Sequence, residues 1–123
     1  MAPEKRAIAV VHLDWLHPEA QDDKAFDARL SGSTRAVADL YGLGAYRKVA
    51  TVRAADLSEA FEVTQNGEEI AWIKKPGVQT EELAESCRST SVGDLFVVDG
   101  QAYIVQGLGF GALPIPVLEE HKP

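Results

Sequence analysis

Cysteine occurs once among the 123 residues, as Cys87. A single thiol closes no intrachain disulfide and builds no cysteine-rich zinc site, so the sequence asks for no oxidising compartment and cytoplasmic residence is expected. Positive charge is also short: 12 Lys and Arg stand against 19 Asp and Glu, a formal net charge of −7. That balance excludes a protein held on DNA or RNA mainly by phosphate neutralisation, and equally a polybasic membrane-surface binder. Long apolar runs are missing too. Ala7 to Val11 follows Lys5 and Arg6 but stops at His12 and Asp14, short of the roughly 7–15 residues of a secretory h-region. Gly100 to Leu118 carries no charge, yet its four glycines, Pro114, Pro116, Gln101 and Gln106 make it a poor membrane helix.

What is present suits one soluble globular domain spanning residues 1–123, with 46% apolar and 25% charged residues. Ala7 to Leu13 reads as a first strand and Glu19 to Leu30 as a helix with Phe26 and Leu30 one turn apart. Ser33 caps a helix whose Val37, Leu40 and Tyr41 recur at i, i+3, i+4, and Gly42 and Gly44 end it. Tyr46 to Arg53 is a strand by composition. Asp56 caps a second regular helix, with Leu57, Ala60, Phe61 and Thr64 on one face and Asn66-Gly67 as its stop. Ile70 to Ile73 reads as a short strand around Trp72, closed by Pro76-Gly77, and Gln79 to Ser86 as a loop or single helical turn. Leu95 to Val98 and Ala102 to Val105 flank Asp99-Gly100, a pair suited to a type I′ turn because both positions take positive φ. Both arms are continuously apolar, as in a hairpin covered on both faces. The fold class is α+β: a small twisted antiparallel sheet or partial barrel with two main helices packed on it.

Several segments invite a chemical reading. Gly107-Leu108-Gly109-Phe110-Gly111-Ala112 matches a dinucleotide-binding pattern, but that site needs a helix at the glycines and a second parallel strand, and Pro114 and Pro116 follow at once. It reads as a glycine-rich loop or bulged strand. His12, Asp14, His17 and His121 show no spacing that would converge three ligands on a metal, and they read as solvated surface residues. Cys87 has no histidine base assignable from spacing and reads as a half-buried, inert thiol, although Arg88 beside it would favour the thiolate. The paired carboxylates Asp22-Asp23, Glu68-Glu69, Glu81-Glu82 and Glu119-Glu120 sit in polar or terminal segments and read as a solvated acidic surface. No catalytic residue, metal or cofactor is expected.

The one polar cluster with the means to bind a ligand is Arg88-Ser89-Thr90-Ser91-Val92-Gly93-Asp94. Its hydroxyls and guanidinium suit an anion. Arg88, Ser89, Thr90, Ser91 and Asp94, with Trp72 and Tyr103 as stacking surfaces, form the candidate ligand site. The competing reading makes Gly93-Asp94 the turn into a central strand and pairs Arg88 with a nearby acid.

From about Tyr46 to Leu113 the chain resembles a family of small proteins of bacterial phages, plasmids and related genomes. The likeness rests on Leu57, Phe61, Thr64 and Asn66 in the helix, on Trp72, on Arg88 to Asp94, and on Tyr103 with Gly109-Phe110. Gln65 between Thr64 and Asn66 departs from the pattern, and residues before about 45 match nothing. The resemblance implies a mobile-element or bacterial origin and carries no activity. The entry into a hairpin through Val92-Gly93-Asp94 is also similar to PUA and ASCH domains, which bind RNA or modified bases. Three functions are expected in descending order. The first is a non-enzymatic accessory protein that binds another protein, one with a basic surface. The second is a PUA/ASCH-like nucleic-acid or nucleotide-ligand module, and the last an enzyme built on Cys87 or the histidines. Recognition is expected at the hairpin end, and self-association through the apolar stretch Gly107 to Leu118 is a further option.

Overall fold

The computed structural model describes residues 4–67, 70–80 and 87–113, with the backbone alone at Lys24. Strands β1 (Arg6–Leu13), β2 (Tyr46–Ala54), β3 (Val78–Thr80), β4 (Leu95–Val98), β5 (Gln101–Val105) and β6 (Phe110–Leu113) form one sheet in the order β3-β2-β1-β4-β5-β6. Every neighbouring pair is antiparallel. The sheet is twisted and open, so the partial-barrel alternative gives way to an α+β sheet covered on both faces.

Alternation along β1 and β4 sends side chains into two cores. Val11, Leu13, Leu95 and Val97 meet α1 (Asp23–Ser31) and α2 (Thr34–Gly42) through Ala25, Ala28, Val37 and Leu40. Ile8, Val10 and Phe96 meet α3 (Leu57–Val63) and a 3₁₀ turn at Trp72–Lys74 through Ala60, Trp72 and Ile73. Three helices therefore cover the described sheet, two on one face and one on the other. This explains the continuous apolar arms of the β4–β5 hairpin. At its turn, Asp99 and Gly100 have φ of 51° and 79°, as a type I′ turn requires. The caps at Ser33 and Asp56 form as read, each side chain accepting a backbone N–H three residues on.

A bulge in β2 positions the site. The register with β1 shifts between Val10 and Val11, so Val10 faces Ala50 while Val11 faces Lys48. Val49 and Ala50 then both pack into the Trp72 core, and the residues before them change sides. Tyr46 thereby joins the α1–α2 core, where its hydroxyl donates to the Gly93 carbonyl at 2.6 Å.

Three local expectations are corrected. Ile70 to Ile73 is no strand: Trp72 opens a 3₁₀ turn, because the Asn66 side-chain oxygen accepts the Trp72 N–H and the indole goes beneath the sheet. The start of Gln79 to Ser86 is edge strand β3 paired with β2, and residues 81–86 lie outside the described residues. The first helix starts at Asp23, after a separate 3₁₀ turn at Pro18–Ala20. The glycine-rich segment is a turn leading into edge strand β6, with Gln106 N–H donating to the Gly109 carbonyl. No helix in the described residues is long and apolar enough to cross a membrane.

α1 sits on the sheet through backbone rather than large side chains. Gly93 has φ of +94°, and a Cβ there would lie 2.6 Å from the Ala28 carbonyl oxygen. Gly32, just after α1, would bring a Cβ to 2.7 Å from the Val105 carbonyl oxygen. At Gly44, with φ of +78°, a Cβ would meet nothing. Gly44→Ala should therefore carry only the left-handed backbone penalty, about 1–2 kcal/mol, while Gly93→Ala adds a clash with α1. Urea denaturation should find Gly93→Ala the less stable by at least about 1 kcal/mol; equal losses would contradict this packing.

Candidate functional site

Gly93-Asp94 turns the chain into β4, and the Asp94 carboxylate is only 1% exposed. A charge that deep has to be met by donors on all sides. Arg88 approaches in fork geometry, Nη1 to Oδ2 at 2.6 Å and Nη2 to Oδ1 at 2.7 Å. The Leu13 N–H donates to Oδ1 at 2.9 Å and the Ser91 N–H to Oδ2 at 2.7 Å. Arg88 in turn donates to the carbonyls of Leu13 and Ser89. The reading that paired Arg88 with a nearby acid and made Gly93-Asp94 a turn into a central strand describes this geometry.

The other candidate residues are engaged around that pair. Ser89 Oγ accepts the Asn66 N–H at 2.8 Å. Thr90 is buried, its hydroxyl 2.9 Å from His12 Nε2 and its N–H on the Thr64 carbonyl. Trp72 has no exposed surface, and its indole N–H donates to the Arg88 carbonyl at 2.8 Å. Arg88, Ser89, Thr90, Ser91, Asp94 and Trp72 are thus brought together. Tyr103 is not: it stands on β5 opposite Phe96, outside this hydrogen-bonded group.

Five participants, Gln65, Asn66, Leu13, Trp15 and His12, were not among the candidate site residues. Gln65 donates to the Thr90 carbonyl, and Asn66 donates to the Cys87 carbonyl while accepting from Trp72. The end of α3 therefore holds the 87–90 segment in place, whereas the sequence marked Asn66-Gly67 as a helix stop. Leu13 contributes backbone, which no side-chain pattern announces. Trp15 lies beneath two guanidiniums, with Arg29 Cζ 3.9 Å and Arg88 Cζ 4.0 Å from its ring centre. This stack links α1 to the Asp94 cluster.

His12 is the fifth, and the reading of it as a solvated surface residue is wrong. It is buried beside Trp72, because β1 is a central strand roofed on this face by the 3₁₀ turn. Burial lowers its pKa to about 4; Asp94 opposes this, and Arg88 and Arg47 add to it. His17 does lie outside, accepting the Glu19 N–H at the head of the Pro18–Ala20 turn. His121 falls outside the described residues, as do Glu68-Glu69, Glu81-Glu82 and Glu119-Glu120.

Cys87 Sγ lies 3.8 Å from His12 Nδ1, so the fold supplies the histidine neighbour that spacing did not. The chemistry is unfavourable. Burial pushes the thiol pKa up, outweighing Arg88, which the sequence suggested would lower it. With imidazole moved down and thiol moved up, passing the proton from sulfur to nitrogen runs uphill, and both stay neutral. Among the described residues no three His, Cys, Asp or Glu side chains gather to hold a metal.

His12 makes stability depend on pH. The unfolded chain protonates this ring near 6.5, whereas the fold resists until about 4. Its contribution is therefore complete above about pH 6.5 and declines by about 1.4 kcal/mol per pH unit as pH falls through that window. Urea denaturation from about pH 7.5 down to 4.5 should show this decline in the native chain and a shallower one in His12→Gln. Identical slopes would remove His12 as the cause. No protein-family model, curated protein or solved structure matches the chain.

Proposed function

We propose that the protein is a non-enzymatic binding module that engages another protein with a basic surface, in the cytoplasm of a bacterium or of a cell carrying a mobile element. The observation that supports it most is the closure of the polar cluster. Arg88, Ser89, Thr90, Asp94 and Trp72 hydrogen-bond within the fold, so what the surface offers a partner is charge and apolar side chains. The charge is acidic, −7 over the chain, with Glu4, Glu19, Asp23, Asp27, Asp56 and Glu62 exposed. Such a field attracts and orients a cationic partner. The resemblance to small mobile-element proteins fits an accessory role of this kind.

The nucleic-acid reading has less behind it. Base stacking needs an open aromatic face, and Trp72 has none. Three of the cations it would use are engaged within the fold: Arg88 pairs with Asp94, Lys75 donates to the Gln65 carbonyl, and Arg53 to the Lys5 carbonyl.

Immobilised full-length protein, incubated with bacterial lysate at about 0.05 M salt, should retain a basic protein that about 0.5 M salt releases. Recovery of no basic protein at low salt, or retention indifferent to salt, would count against the reading.

A further inference from the structure

We propose that His12 is an acid trigger for the clamp between Arg88 and Asp94. Its protonation detaches one layer of the fold, the end of α3 with the Trp72–Lys74 turn and residues 87–90, while the α1–α2 side of the sheet stays folded. This device is independent of any partner.

The layer is knit into a unit by its own hydrogen bonds. The Asn66 side chain accepts the Trp72 N–H and donates to the Cys87 carbonyl, and the Asn66 N–H reaches Ser89 Oγ. Gln65 donates to the Thr90 carbonyl, the Trp72 indole to the Arg88 carbonyl, and the Thr90 N–H to the Thr64 carbonyl. Two kinds of contact hold this unit on the sheet. Trp72 and Ile73 are buried in one core with Ile8, Val10 and Phe96. The polar ties to β1 and β4 run through Arg88, which donates to Asp94 and to the Leu13 carbonyl, and through His12, which meets Thr90.

His12 stands where a proton breaks those ties. The ring is 3% exposed on a central strand. Its Nε2 lies 2.9 Å from Thr90 Oγ1 and 3.8 Å from Asp94 Oδ2, the same oxygen that receives Arg88 Nη1 at 2.6 Å. Its Nδ1 faces Cys87 Sγ at 3.8 Å, and sulfur is a weak acceptor. A protonated ring therefore carries two N–H donors and has no carboxylate of its own. It competes with Arg88 for Asp94 and repels the guanidinium, and Arg47, opposite it on β2, adds a further cation. Neither remaining neighbour supplies an anion: on the 3₁₀ turn Lys74 is exposed and Lys75 holds the Gln65 carbonyl, and β4 is uncharged.

Lifting the layer relieves the conflict, because water then reaches both ring nitrogens and separates the imidazolium from Arg88. The opened form takes its proton near pH 6.5 and the closed form only at about 4, so falling pH drives opening through that window. Ties on the other side do not pass through the ring. Tyr46 still donates to the Gly93 carbonyl, and the Leu13 N–H to Asp94.

Amide hydrogen exchange in the ¹⁵N-labelled full chain tests this, with each rate divided into that of an unstructured amide at the same pH. Between about pH 7 and 4.5, protection at Asn66, Trp72 and Thr90 should fall at least about tenfold relative to protection at Gly32, Val37 and Ala45. In His12→Gln, which carries no proton to gain, the ratio should stay constant. Both sets falling together would mean that the whole chain opens and would overturn the device. A constant ratio in the native chain, or an equal fall in His12→Gln, would overturn it as well. Arg47 is exposed, so Arg47→Glu decides the matter if His12→Gln does not fold. An anion opposite the ring should make the fall shallower, and a fall as steep as in the native chain would remove His12 as the trigger.

Discussion

A carboxylate with almost no access to water governs this structure. Asp94 stands at the entry to β4, a central strand, and its two oxygens accept from both ends of the Arg88 guanidinium and from the N–H groups of Leu13 and Ser91. In a low-dielectric interior such a charge is tolerable only when its lone pairs are fully met, and removing one partner leaves the other buried and alone. The requirement is geometric as well as energetic. It holds the end of β1, the 87–94 segment and the start of β4 in one arrangement, and the Asp94 backbone extends it to Val105 on β5.

Much of the surrounding architecture answers to that centre. The β2 bulge carries Tyr46 to the side from which its hydroxyl reaches Gly93, one residue before Asp94. Gln65 and Asn66, at the end of α3, hold the carbonyls of Thr90 and Cys87. Trp15 joins Arg88 to Arg29 on α1, and Gly93 brings α1 so close that its bulky side chains turn outward. The buried ion pair and the exposed Phe26–Leu30 face are two consequences of one packing arrangement. A segment that looks like a ligand site in sequence acts as a keystone, and α1, held close to the sheet, leaves Phe26 and Leu30 exposed.

How much of this was legible follows the range of the interactions. Ser33 and Asp56 announce their helices, and Asp99-Gly100 its hairpin, because caps and tight turns are settled within a few residues. Arg88 and Asp94 are near neighbours in the chain, and their pairing was one of the two readings available. The environment of His12 was not legible: its Thr90 and Cys87 contacts come from 78 and 75 residues away. Trp72 misled for the same reason. A bulky apolar residue between two others reads as a strand, and only the sheet above it makes burial in a 3₁₀ turn the better solution. The outward turn of Phe26 and Leu30 was equally hidden, since their spacing marks a face of the helix without saying what that face meets.

The central claim is that Arg88 and Asp94 support the fold rather than recognise a ligand, and a double-mutant cycle read by urea denaturation tests it most directly. Asp94→Asn and Arg88→Met should each cost about 3–5 kcal/mol, and the double variant should lose clearly less than their sum, because it leaves neither charge unpaired. Single variants as stable as the native chain, with losses that merely add, would contradict the account and return the segment to the list of candidate ligand sites.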